Sequence, residues 1–318
     1  MFGNNKTGWK PQPAATELYA STIPAKYKTQ LDALPFDLDK SAFPFRALTQ
    51  VLRGSQHVTA GRLNALNQGS YGSCTGFAGS RAADITAACD ILWRQEAEKW
   101  PRNGDGRPII TAPDYCYGAS RDISGNLGRY QGSYGAAVAK ALRLYGAIHQ
   151  TKYGRFDLST YSIAKCKKWA AAGIPEPLKE EALKHQFLTT VRIENVEQAI
   201  ALTQNGYGFM ICCGLGWHTK RDDDGFARRV RPGWSHAQVG GLGYVAIKKN
   251  RKTRRGVLLQ NSWGNRWQSG GLFCDDQPRG AYFIELDDLQ TALESGDCFA
   301  VADFEGFTER YDWSRLGW

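Results

Sequence analysis

The sequence predicts an α+β fold with a mainly helical half first, a β-rich half after it and a cleft between the two. Helical spacing of apolar residues dominates up to about residue 204. Beyond it come short apolar or alternating runs, separated by Gly, Asp and basic segments. No internal repeat interrupts this order, which is that of two segregated layers around a core. A cleft between such halves is where chemistry is expected.

Residues 1–60 are punctuated by PQP, IPAK, LPFD and FPF, and read as an extended arm or prosegment with short helical patches, laid over the rest. From Cys74 to about Trp100 the pattern changes: Ala78, Ala82, Ile85, Cys89 and Leu92 form the buried stripe of a helix. The loop NGDGRP follows, then APDYCYGASRDI, to which no element is assigned. Further helices are expected over about 134–145, 160–171 and 195–204, the last closed by Asn205-Gly206. GFMICCGLGW, AQVGGLGYVAI, GVLLQNSW, AYFIEL and CFAVADF read as strands. The main body is set at 61–295, its helical half about 61–190 and its β-rich half about 191–295, with a C-terminal strand and aromatic tail at 296–318.

At 318 residues, with ten Trp and fourteen each of Tyr and Phe, the chain can bury a sizeable core. The first twenty residues carry no apolar run of signal-peptide type, and no segment approaches a membrane span. A cytosolic setting, or a particle assembled there, is therefore expected, with no membrane partner. The eight cysteines are irregularly spaced and include no CxxC pair, so free and mostly packed thiols are expected, with no metal and no cofactor. Cys212 and Cys213 should point to opposite faces of one strand. The net charge is +9, six of it from KKNRKTRR at 248–255, read as a solvated loop between two strands rather than a nucleic-acid site.

A reactive cysteine needs its thiolate stabilised, and a helix N-terminus does so with unpaired N–H groups. Cys74 stands where the glycine-rich LNQGSYGSC ends and the helical stripe begins. Of the five histidines, His236 in GWSHAQVGGLGY is the first candidate partner and His218 the second. His57, His149 and His185 have no companion motif. Asn261, at the end of the apolar run VLLQN, can orient an imidazole.

QGSYGSC, SHAQVGG and QNSWGNRW, in that order, resemble the three active-site blocks of the papain-like cysteine peptidases. The separation of 162 residues between Cys74 and His236 exceeds the roughly 130 to 150 of that family. Charged insertions, RDDDGFARRVR before His236 and KKNRKTRR after it, account for the extra length of the blocks' spacing. The resemblance covers about residues 60–290 and implies a papain-like fold and hydrolysis of peptide bonds through a covalent acyl-enzyme. It implies Cys74 as nucleophile, His236 as general base and then acid, Asn261 as the orienting residue, and Gln68 as side-chain donor of the oxyanion hole. It further implies Trp263 shielding the Asn–His contact, Trp267 on the leaving-group side, and Gly132 and Ser235 along the substrate wall. Tyr71 and Thr75 depart from it: secreted relatives carry a disulfide cysteine at the first and a tryptophan is common at the second. Residues 1–60 are shorter than the usual inhibitory prosegment and lack its helical signature.

The expected partner is a peptide or protein substrate. An alternative is a papain-fold docking subunit of a larger assembly such as a virus particle, engaged through the N-terminal arm and the tail DFEGFTERYDWSRLGW. Cell-wall peptides are a further substrate class that the positive charge would suit.

Overall fold

The computed structural model describes residues 8–249 and 251–310. Its architecture is α+β. The helix Cys74–Trp93 runs through the centre and is buried on nearly every side, as a helix with small and apolar residues all round requires. The expected stripe of Ala78, Ala82, Ile85, Cys89 and Leu92 lies within it, each at most 4% exposed. Helices Gly135–Leu144, Ile163–Ala172 and Val196–Gln204 form where periodicity places them. Asn195 caps the last of these, accepting from the Gln198 amide at 2.9 Å.

APDYCYGASRDI proves to be a helix, Pro113–Ile123, with proline in its first turn and Tyr115, Tyr117 and Arg121 buried. Tyrosines, Gly118 and a buried arginine obscure its period, because burial on most sides leaves no polar face to mark the amphipathic pattern.

One six-stranded sheet holds the second half together. Its order is Ala281–Glu285, Lys252–Gln260, His236–Lys249, Phe209–Cys213, Phe299–Ala302 and Thr189–Arg192, every neighbour antiparallel. Strand Phe299–Ala302 thus lies inside the sheet. Cys212 packs with the central helix and Cys213 in the core on the other face of the sheet, as alternation demands. A register shift between Leu258 and Gln260 accommodates Gly240-Gly241 in the facing strand. Gly241 sits at φ +77°, where a side chain would be strained and would meet the Tyr207 carbonyl.

KKNRKTRR differs from the expected loop: pairing continues to Lys249↔Lys252, so most of these residues belong to strands. Arg254 contacts Asp222 and Glu285, and Arg255 contacts Asp39, which spends the charge locally.

The N-terminal arm has the short helical patches expected of it and is packed more deeply than an extended arm laid over the rest. It carries helices Pro13–Ser21, Ala25–Asp32 and Phe45–Val51, and Phe45, Ala47, Leu48 and Leu52 are fully buried. Apolar burial on that scale makes residues 42–52 part of the main core. Phe45→Ala is expected to destabilise the whole chain by about 3–5 kcal/mol in urea unfolding. A loss below about 1 kcal/mol would instead mark this segment as an appendage.

Among the described residues, no helix is long and apolar enough to cross a membrane. None of their His, Cys, Asp or Glu groups forms a set of three placed to hold a metal ion.

Candidate active site

Cys74 is the first residue of the central helix and is fully buried. Strand His236–Lys249 starts against it, and the Ala237 amide donates to its sulfur at 3.3 Å. This backbone contact puts His236 immediately beside the thiol. The His236 imidazole, 1% exposed, packs on the Trp263 ring with centroids 4.3 Å apart. His218 is exposed on another strand, and His149 pairs with His185 in a separate part of the helical half.

Gln68 is fully buried and held at both ends. Its Nε2 donates to the Tyr71 carbonyl at 2.8 Å, and its Oε1 accepts from the Ser262 hydroxyl at 2.6 Å. The Gln68 amide donates to the Ser262 carbonyl at 2.8 Å. Ser262 follows Asn261, so these bonds tie the glycine-rich turn to the segment leaving the sheet. Asn261 Oδ1 accepts from the Trp263 amide at 3.1 Å. Trp263 and Trp267 pack edge to face 5.1 Å apart, and Trp234 completes the group at 5.2 and 5.8 Å. Trp234 lies two residues before His236; the spacing of block residues gave it no mark. Tyr71, in place of a disulfide cysteine, packs edge-on against Tyr117.

The N-terminal arm crosses this site. Gly8, Trp9 and Lys10 lie beside Ser133 as a parallel bridge: the Ser133 amide donates to the Gly8 carbonyl, and the Lys10 amide to the Ser133 carbonyl, both at 2.8 Å. The Ser235 hydroxyl donates to the Trp9 carbonyl at 2.7 Å. Gly132 stands close under the Gly8 carbonyl at φ +108°, but Ser133 makes the ladder bonds. A Cβ on Gly8 would come within 2.8 Å of the Cys74 sulfur and closer still to the Gly72 carbonyl.

Trp9 is the anchor. Its ring is buried, and its Nε1 donates to Asp297 Oδ2 at 2.6 Å. Asp297 also accepts from the Thr16 hydroxyl at 3.1 Å and from the Gly135 and Ala136 amides at 2.6 and 2.8 Å. It therefore caps helix Gly135–Leu144 and holds the arm with one carboxylate. Burial raises its pKa, and these four donors oppose that shift. Asp297 was missed in the sequence because its partners are distant; an aspartate in SGDC just before an apolar strand was the only trace.

Burial pushes Cys74 up to about 12, outweighing the amides of Ala237, Gly8 and Thr75 that favour the thiolate. The Gly8 amide favours the Cys74 thiolate, and the arm lies against the sulfur.

Solved structures share this architecture. Xylellain, a cysteine protease from Xylella fastidiosa, superposes with a TM-score of 0.56 at 14% identity, over 96% of this chain and 99% of that one. A procathepsin B from Trypanosoma congolense gives 0.53 at 11% identity, over 94% and 86%. The proform of the ragweed pollen cysteine protease Amb a 11 gives 0.52 at 12% identity, over 94% and 75%. No protein-family model and no curated protein sequence matches the chain. The fold is that of the papain-like cysteine peptidases.

Proposed function

We propose that this chain is a cysteine peptidase whose described form is closed by its own N-terminal arm. The observation that carries this is the convergence of Cys74, at a helix N-terminus, with the strand start at His236, while Gln68 is linked through Ser262 to Asn261. Cys74 attacks the scissile carbonyl, and Gln68 with the Cys74 amide stabilises the oxyanion. His236, oriented by Asn261, protonates the leaving amine and then activates the water that releases the acyl group.

Removal of the arm through residue 12 empties the indole pocket and takes one of the four donors from Asp297, leaving the Thr16 hydroxyl and the Gly135 and Ala136 amides. A substrate side chain entering there meets a buried carboxylate that is short of one donor. Side chains bringing an N–H donor, tryptophan or arginine, are favoured over leucine. The test is digestion of a mixed peptide library by a variant shortened to begin after residue 12, with cleavage sites mapped by mass spectrometry. Cleavage abolished by Cys74→Ala is expected, with indole or guanidinium side chains enriched near the cut. Absence of any Cys74-dependent cleavage counts against the peptidase. Cleavage without that enrichment counts against Asp297 alone.

A further inference from the structure

Trp263 lies on the His236 ring and packs edge to face with Trp234, and both indoles are partly exposed. Trp234 in turn sits on the hairpin of strands Gly216–Arg221 and Ala227–Val230. Gly216 pairs with Val230, and a Cβ on Gly216 would meet the Trp234 ring at 2.9 Å and the Val230 side chain at 3.0 Å. The ring and the Val230 side chain therefore share one face of the hairpin. Arg228, two positions before Val230, shares that face by alternation and is exposed. Arg229 points the other way, 3.9 Å from Asp288. Arg231, three residues before Trp234, and Arg266, between Trp263 and Trp267, are exposed as well.

Among the described residues, Arg228, Arg231 and Arg266 have no ion-pair partner. The acids of the same hairpin stand at its turn, where Asp222 and Asp224 hold Arg254 at 2.8 and 3.4 Å and Asp223 lies between them. Three guanidinium groups thus border the aromatic surface that covers the imidazole, while the hairpin's carboxylates gather at its other end. Charge placed this way selects and steers a ligand rather than holding the fold.

We infer, resting on the peptidase reading above, that this rim selects substrates with acidic side chains in the segment beyond the scissile bond. His236 passes its proton to the leaving amine, so the departing segment lies over His236 and Trp263 and within reach of the rim. Guanidinium groups pair with carboxylates in bidentate fashion, and the indoles accept the methylene groups between the charges.

Two fluorescein-labelled peptides test this, Ala-Trp-Gly followed by three glutamates or by three glutamines. They are titrated by anisotropy against the full chain carrying Gly8→Ala, whose methyl meets the Gly72 carbonyl, and Cys74→Ala, which prevents turnover. The glutamate peptide is expected to bind about 5- to 10-fold more tightly at about 0.05 M salt, and the difference to vanish by about 0.5 M. Adding Arg231→Glu and Arg266→Glu should abolish the preference. Arg251→Glu with Lys252→Glu changes the same charge beyond the far end of the 14-residue strand that His236 begins, and should leave it in place. Equal affinity for the two peptides, no measurable binding of the glutamate peptide, or equal loss in both double variants overturns the inference. Each of these results leaves the peptidase reading standing, because Cys74-dependent cleavage of the peptide library decides that separately.

Discussion

Replacing Gly8 by alanine is expected to speed alkylation of Cys74 by iodoacetamide at neutral pH about 5- to 150-fold. The added methyl meets the Gly72 carbonyl and the Cys74 sulfur, one of them rigid backbone. Overpacking of this kind costs about 1–3 kcal/mol, and here only the closed state bears it. The arm then leaves more often, water reaches the sulfur, and the thiol's pKa falls from about 12 toward its ordinary range. The sign with pH follows from that raised value. Labelling of the native chain should climb throughout the alkaline range, whereas Gly8→Ala should label well near neutrality. Gly104→Ala, where a Cβ meets nothing, is the control and should leave the rate unchanged. Equal rates for native and Gly8→Ala protein would show that the arm does not lie on the sulfur in solution.

In an arm-opened background, Gln68→Ala is expected to lower turnover on the order of 10²–10³-fold, the usual consequence of losing one oxyanion donor. Gln68 is buried and bonded to Tyr71 and Ser262, so part of the loss could come from the turn shifting. Alkylation of Cys74 separates the two effects: it needs no oxyanion hole, so it should stay within a few fold in Gln68→Ala if the turn keeps its place, while turnover falls. Near-normal turnover in Gln68→Ala would take Gln68 out of the mechanism.

The three motif blocks were legible because each is local. Gln68 and Cys74 flank one turn, His236 opens one strand and Asn261 follows another, so a short block of sequence carries each resemblance. The path of the arm was not legible. Gly8 and Trp9 act through Ser133, Ser235 and Asp297, contacts between segments far apart that leave no local pattern. Ser133, next to Gly132, bonds the arm through its backbone, which any side chain permits, so that contact left no mark in the sequence. Helix Pro113–Ile123 was missed because burial hid its period.

The bond from Trp9 to Asp297 spans 288 positions of the chain. Closing so long a loop costs about 5 kcal/mol of chain entropy, which local structure does nothing to repay early. During synthesis, the helix bearing Cys74 and the strand bearing His236 have both emerged before Asp297 exists. Strand Phe299–Ala302, needed to join Phe209–Cys213 to Thr189–Arg192, emerges later still. The latch therefore depends on the last-made part of the sheet, and a newly made chain passes through a stage in which Cys74 has its neighbours but Trp9 has no carboxylate to hold.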